Sequence, residues 1–580
     1  MSKKRRRSRA AAQPDAAPAV EVPLEPEGDP YAAFEGRDWG FAFLPDAQAE
    51  VVNEKALHRM VKQWRHGRAT KTLWQAFSDA YFAVFTVVLL GAMITNAIIG
   101  SQRAAASCTT ADCDTGRSLI PWGVLFAVVA LSAAVARLFG PVLASAAEGG
   151  WVMSAPIGRV RLLRPRLYAV VVAAALVGIV LAGIVAALAG EPLHAVVAWA
   201  VATGLAASAV VAFAASEQSR ERTWVLRLLG GVATLLALLA LAGMVAISAG
   251  WIGVGTFATP DVLVLGLAAV AVVVGVVSFV LARLRLDHIP RARLISGGSL
   301  VSGMQGAMFG LDFGLARDIL VEREAAARGH VKPVRGSGVG ARALVARDLQ
   351  RLVRFPRPLV GVFGSALVPY ALDAVGLGIV APLGAALALV AALIPTLGAL
   401  RVLSRTGGLA RMFPLSTRQI RQATVTVPAL LAVLWAFLVT PSMTGILGGV
   451  VREPFPAFLT ALGTAAAGLL GAVRWQTAKP VDFATPMVAT SSGAVPPSLM
   501  FNLARGFDMV ALVTAPILLG VDPIWSLAMA TLVAGFLIGG ANSAEMAAEA
   551  EEQKKQLEAE KARSAGTRTT IPNRRRPTDK

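Results

Sequence analysis

Apolar residues recur along this chain in stretches close to 20 residues long. They fall at 76–100, 119–140, 167–189, 194–215, 226–249 and 260–283, and again at 358–376, 379–400, 423–444, 455–473, 507–521 and 523–541. A helix rising 1.5 Å per residue needs about 20 apolar residues to cross the hydrocarbon of a bilayer. The pattern predicts an all-α polytopic membrane protein, with about 12 transmembrane helices in two duplicated six-helix halves.

Two segments alternate with helical period instead. At 55–72, Leu57, Met60, Val61 and Trp64 fall at i, i+3, i+4 and i+7, with Lys55, Arg59, Lys62 and Arg65 on other faces. At 343–357, Val345, Leu349, Leu352 and Val353 form the apolar stripe and Arg347, Arg351 and Arg354 the polar one. Each precedes the first span of its half and is expected to lie flat at the membrane surface. The organisation that follows is a polar tail (1–54), a first transmembrane half (55–284), a linker (285–342), a second half (343–541) and a charged C-terminal helix and tail (542–580). Asn542 and Glu545 resemble a capping box at the start of that last helix.

Composition fits this reading. The chain has 580 residues, 55% of them hydrophobic and 16% charged, too apolar for a soluble domain. The net charge of +19 is read as topology and not as a nucleic-acid footprint, because basic residues collect in the inner loops of membrane proteins. With both termini inside, only Arg103, Arg117 and Arg452 of the 55 basic residues fall outside. The expected location is the plasma membrane. Residues 1–30 hold no apolar run, so the first span is expected to direct insertion.

The only two cysteines, Cys108 and Cys113, share the loop between the first two spans, on the expected oxidising side. A disulfide there would contribute roughly 2 kcal/mol on the chain-entropy model. The alternative, a metal site, lacks a nearby histidine.

Catalytic chemistry finds little footing. Asp79, Asp261, Asp373 and Asp508 all stand near span boundaries, whereas an ion-coupled carrier keeps carboxylates at mid-membrane. No H-E-x-x-H, paired-cysteine zinc spacing, G-x-S-x-G or phosphate loop occurs, and GSGVGAR at 336–342 lacks the Lys-Ser/Thr ending. No metal or cofactor is expected on this chain.

One pattern occurs twice. GGWVMSAPIGRVRLLRPR at 149–166 and GGLARMFPLSTRQIR at 407–421 each have a Gly-Gly pair, five intervening residues and a proline, Pro156 or Pro414, then a basic run leading into a span. Glycine lets the chain leave a helix, and proline presets the first turn of the next.

These loops, with ALVARDLQRLVRFPRP at 343–358, resemble the permease subunits of ABC-2-type ATP-binding-cassette exporters. The basic helix is similar to that family's elbow helix, with Arg347, Asp348, Arg351 and Arg354 as its polar residues. The loops are similar to the coupling segments that receive the ATPase. The first half departs from the pattern, having only HRMVKQWRHGR for an elbow, and the large outer domains of some members are absent. The resemblance implies two halves fused into one chain and ATP bound on a separate ATPase, in two copies. That ATPase would dock on loops 142–166 and 401–421, through Gly150, Pro156, Arg159 and Arg161 in the first and Gly408, Pro414, Arg418 and Arg421 in the second. Two other classes stay open on the residues alone: a secondary carrier, and a non-transporting membrane scaffold or enzyme.

Overall fold

The computed structural model describes residues 73–106, 111–153, 159–220, 222–253, 261–309, 313–446, 450–478, 488–490, 493–495 and 504–539, and the single positions Arg59, Lys555 and Glu558. The expected helix at 55–72 (Arg59 aside), Cys108, the side chain of Cys113, Pro156, and the capping pair Asn542 and Glu545 lie outside the described residues. The chain divides into Met1–Thr70 and Lys71–Lys580, and every element below belongs to the second unit.

The first half is built from α1 (Leu73–Ala106), the short α2 (Ala111–Ser118), α3 (Ile120–Phe139), α4 (Arg159–Leu188), α5 (Leu193–Gln218), α6 (Trp224–Ser248) and α7 (Asp261–Leu284). All its predicted spans are continuous helices. They lack internal polar runs, so nothing competes with the backbone ladder inside a bilayer. Val87 and Val88 on α1 and Val273 and Val276 on α7 are exposed, as lipid-facing side chains are. α5 is the most buried span of this half. It crosses α4 where a Cβ on Gly178 would stand 2.9 Å from the Cα of Gly204, a backbone approach that only small residues permit.

Two helices follow, α8 (Arg291–Phe309) and α9 (Phe313–Arg328), within the stretch the sequence marks as a linker. Then come the elbow helix α10 (Ala341–Arg354), α11 (Arg357–Ser365), α12 (Leu367–Ala374), α13 (Ala381–Leu393), α14 (Gly398–Arg405), α15 (Gly407–Arg411), α16 (Thr417–Met443), α17 (Pro454–Gln476), α18 (Phe507–Leu518) and α19 (Pro523–Gly539). A short antiparallel strand pair, Val488–Thr490 with Gly493–Val495, is the one exception to the helical fold among the described residues.

The second half therefore departs from six unbroken spans. The stretch at 358–376 is two short helices, because Pro369 has no N–H to continue the ladder across Ala366. The stretch at 379–400 bends by 70° between α13 and α14, at Pro395. α18, with 12 residues, reaches about 18 Å, short of the ~30 Å hydrocarbon. By length and composition eight described helices can cross a membrane, or nine if the bent pair is one span.

α17 is the centre of the second bundle, packed by α13, α16, α18 and α19. Trp435 of α16 is wholly buried there, and its indole Nε1 donates to Ser365 Oγ at 3.1 Å, so the one polar atom of the largest core side chain is satisfied. The halves meet at a cluster holding Ile120 and Met244 from the first and Tyr370 and Val375 from the second.

Candidate functional site

The first repeated loop leaves α3 at Gly140, whose φ of 84° suits glycine, and is fixed at once by Gln218 at the end of α5. Val142 N donates to Gln218 Oε1 at 3.1 Å, and Gln218 Nε2 donates back to Val142 O at 2.9 Å. Ser145 and Glu148 then exchange backbone-to-side-chain bonds of 3.0 and 3.2 Å, starting the π-turn Glu148–Val152. Arg166 of α4 closes the loop, reaching Glu148 Oε1 at 2.8 Å and Leu143 O at 2.6 Å. The apex is left outward, with Trp151 82% exposed.

α8 lies against this loop. Ala144 N donates to Leu294 O at 3.2 Å, and Arg291 reaches Gly150 O at 3.3 Å. The fit depends on two glycines: a Cβ on Gly297 would meet Phe139 O at 2.1 Å, and one on Gly298 would meet Ala144 O at 1.9 Å. α8 in turn packs on α9, where Arg323 donates to Ser296 O at 3.0 Å.

α9 holds the second loop by different chemistry. The break after α13 strands carbonyls that an unbroken helix would satisfy. Arg317 of α9 and Gln476 of α17 both donate to Ile394 O at 3.0 Å, and Arg351 of the elbow helix donates to Pro395 O at 2.6 Å. Arg401, on the first turn of α14 and almost wholly buried, makes a two-pronged pair with Asp318 of α9 and donates to Gly314 O at 2.8 Å. Arg405 stands 3.6 Å from the same carboxylate. Arg401 and Arg405 thus share one aspartate, while Arg317 and Arg351 hold the carbonyls of the break. Burial, and after it the Arg401 guanidinium, pulls Arg317 down to about 10, which leaves it charged at neutral pH.

Beyond α15 the chain turns through Pro414 into α16, started by a capping box in which Ser416 Oγ accepts from Gln419 N at 3.2 Å and Gln419 Oε1 accepts from Ser416 N at 3.0 Å. Gly408, Pro414 and Arg418 are exposed at this apex, as is Met412. Arg421 is not at the apex: it turns inward and donates to Leu537 O at 3.1 Å. In the first loop Gly150 is exposed, Arg159 donates to Met153 O at 3.4 Å, and Arg161, two residues into α4, is exposed.

The elbow helix sits differently from its expected stripe. Asp348 and Leu352 are buried and Val345 half-buried, while Leu349 and Val353 point away from the protein, 55% and 74% exposed. The apolar residues are split between a protein face and an outward face suited to lipid, and an aspartate occupies the protein face. Arg347 and Arg354 are exposed; Arg354 donates to Lys332 O at 2.8 Å. Asp348 Oδ2 has no hydrogen-bond partner among the described residues, and burial lifts its carboxyl to about 6 against the opposing pull of Arg351.

A cavity lies behind each loop. The first, of about 250 Å³, brings Arg137, Arg222 and Arg293 near the buried Glu217. The second, of about 560 Å³, is lined by Arg411, Arg421, Arg474 and Arg505 and, among the described residues, by no carboxylate. The described residues contain no cluster of metal-ligating side chains.

Sequence reasoning missed three anchors. Arg166 and Arg401 counted only as positive-inside charge, and their partners lie 18 and 83 residues away. Arg117, one of the three basic residues expected outside, is buried between the halves and donates to Ala189 O at 3.0 Å, Ser101 O at 3.2 Å and Ala374 O at 2.7 Å. The small residues and chain ends around it carry no sequence signal for such a site.

Neither a curated protein nor a solved structure matches the chain. A family model described as "Family of unknown function (DUF6297)" matches residues 113–486, a span that takes in both repeated loops, the α8–α9 pair and the elbow helix. That match extends over more than half of the 580 residues, and the chain belongs to the DUF6297 family.

Proposed function

We propose that this protein is the membrane-spanning permease subunit of an ATP-binding-cassette exporter, seated in the plasma membrane with its arginine-rich loops and both termini on the cytoplasmic side. A separate ATPase, in two copies, docks on loops 142–166 and 401–421 and supplies ATP hydrolysis. The observation that carries this reading is the linkage between the loops. Each presents an exposed apex, at Trp151 and at Met412–Pro414, and the two are joined through one helical pair: α8 grips the first and α9 the second. A force applied at either apex has a short, packed route to the other, as a machine driven by closure of two ATPase copies requires.

Gly150, Arg159, Arg161, Gly408, Pro414 and Arg418 are the docking residues in this reading. Arg421, turned to Leu537, supports the second apex from behind. Arg351 of the elbow helix positions the broken α13–α14 segment, Asp348 is buried on the same helix, and Arg347 and Arg354 face outward.

The test is photocrosslinking in native membranes, with a crosslinking amino acid at position 151 or 412. Both positions should yield an adduct with the same ATP-binding-cassette ATPase. Adducts with no ATPase at either position would overturn the assignment.

A further inference from the structure

At the end of the molecule away from the loops, one side chain draws the two halves together. α12 packs directly across the halves, against α6 and α2. Beside that contact Arg117, only 4% exposed, gathers helix ends from both sides. Its Nε donates to Ala189 O, just past α4, at 3.0 Å, and its Nη2 reaches Leu188 O at 3.3 Å and Ser101 O of α1 at 3.2 Å. Nη1 crosses to the second half and donates to the O of Ala374, the last residue of α12, at 2.7 Å. Carbonyls at a helix C-terminus have no partner within the helix and carry the negative end of its dipole, so one planar guanidinium is matched to α4 and α12 together. Ala189 and Ala374 also belong to the apolar cluster that joins the halves, where water does not compete for these donors.

α1 is the bed on which both ends rest. Ser101 Oγ donates to Leu188 O, and Gln102 Nε2 donates to Ala187 O at 2.9 Å, which ties α1 to the end of α4. Gly190 and Gly376 follow the two capped helices with φ of 87° and 79°, the left-handed region that favours glycine. A Cβ on Gly190 would stand 2.6 Å from Ala105 Cβ, and one on Gly376 would overlap Ala104 Cβ. Each half thus turns its chain against successive residues of one helix, with Arg117 between them. The loop end is joined in another way, through α8 and α9. There Gly303 of α8 faces Ile319 of α9, and a helix face without side chains permits packed helices to slide.

We propose that Arg117 is the pin of a hinge between the two halves. It holds their far ends together, so that relative motion of the halves is a rotation about this point and emerges at the loops as sliding of α8 on α9. Arg117 acts as a positioning residue. The inference does not depend on the ATPase reading, because it concerns where the halves turn and not what turns them.

Double electron–electron resonance on the full-length protein tests it, in detergent and in nanodiscs, with genetically encoded spin-labelled amino acids that leave the cysteines untouched. One pair of labels, at Leu193 and Val451, spans the halves at the far end; the other, at Trp151 and Met412, spans the loops, and all four positions are highly exposed. In wild type the 193–451 pair should give one distance in both environments, and any spread should fall on the 151–412 pair. Arg117→Ala should add a second, longer 193–451 distance and leave the 151–412 distribution as it was. A wild-type 193–451 pair with several distances would overturn the hinge. So would an unchanged 193–451 distribution in Arg117→Ala, and an equal change at both pairs would reduce Arg117 to a general stabiliser and overturn its role as pin. Should Arg117→Ala misfold, Gly376→Ala serves instead: it keeps the arginine but pushes the end of α12 off Ala104, and it should lengthen the 193–451 distance alone. No lengthening there would contradict the proposal.

Discussion

The two loops share a spacing of glycines and proline and are held in place by different forces. The first is fixed mainly by close-range fitting around a single ion pair, Arg166–Glu148: a Gln218 amide paired to one peptide group, a Ser145–Glu148 exchange, and a helix admitted to contact only because Gly297 and Gly298 lack side chains. The second hangs on charge, with Arg401 on Asp318 and Arg317 and Arg351 on the carbonyls of a broken helix. The cavities differ too, since the smaller one has a glutamate among its arginines and the larger has none among its described lining residues. Sequence repetition can thus conserve where a loop stands while leaving free how it is anchored. A steric change should disturb the first loop and a charge change the second.

The largest expected effect is at Arg401. Arg401→Ala leaves Asp318 and Gly314 O without their main donor; with Asp318 40% exposed, the loss should be about 3 kcal/mol, below that of a fully buried pair. It is read as a lowered thermal midpoint in detergent, and it should shrink as salt is raised. Gly298→Ala comes next, at about 2 kcal/mol, because the new methyl faces a backbone oxygen that cannot rotate away. Its shift should be the same at low and high salt. If the two variants show the same salt dependence, the contrast between the loops fails.

Asp348→Asn should do the opposite and stabilise, by about 1–2 kcal/mol at pH 7. The native carboxyl holds its proton up to about 6 instead of its ordinary 3.8, so the folded form binds more protons than the unfolded one across that interval. Stability should therefore fall as pH rises from about 4 to about 6 and level off above, and the Asn variant should lose that slope. A wild-type midpoint flat across this range would remove Asp348 from the account. The smallest effect on stability, under about 0.5 kcal/mol, is expected for Pro414→Ala with Arg418→Glu at the exposed apex. In the exporter reading that variant inserts and folds normally yet exports nothing, measured as transport alongside ATPase activity.

Much of the frame was legible in the sequence because its cause is local. Continuous apolar length marks α1 and α3 through α7, and the same rule marks α16 and α17. It overstates the second half, where Pro369 and Pro395 break helices that hydropathy alone reads as unbroken. The loops were visible as a repeated spacing, but their anchors were not. Arg401 and Asp318 are 83 residues apart, and in an arginine-rich chain nothing in composition distinguishes a clamp from a topological charge. α8 escaped notice for a related reason: with Gly297, Gly298, Gly303 and Gly306 it has weak helical propensity and no amphipathic stripe, and its place comes from what its glycines allow it to approach. At the elbow, periodicity found the helix and its stripe, and the structure divides that stripe between a protein face, which also takes Asp348, and an outward one.

The most direct test of the central claim is a mild-detergent purification of the intact protein from its own membranes, with mass spectrometry of what stays bound. Wild type should retain an ATP-binding-cassette ATPase, and the Pro414→Ala/Arg418→Glu variant should release it while remaining folded. Absence of any ATPase from the wild-type sample, under conditions that preserve a known transporter complex, would contradict the account.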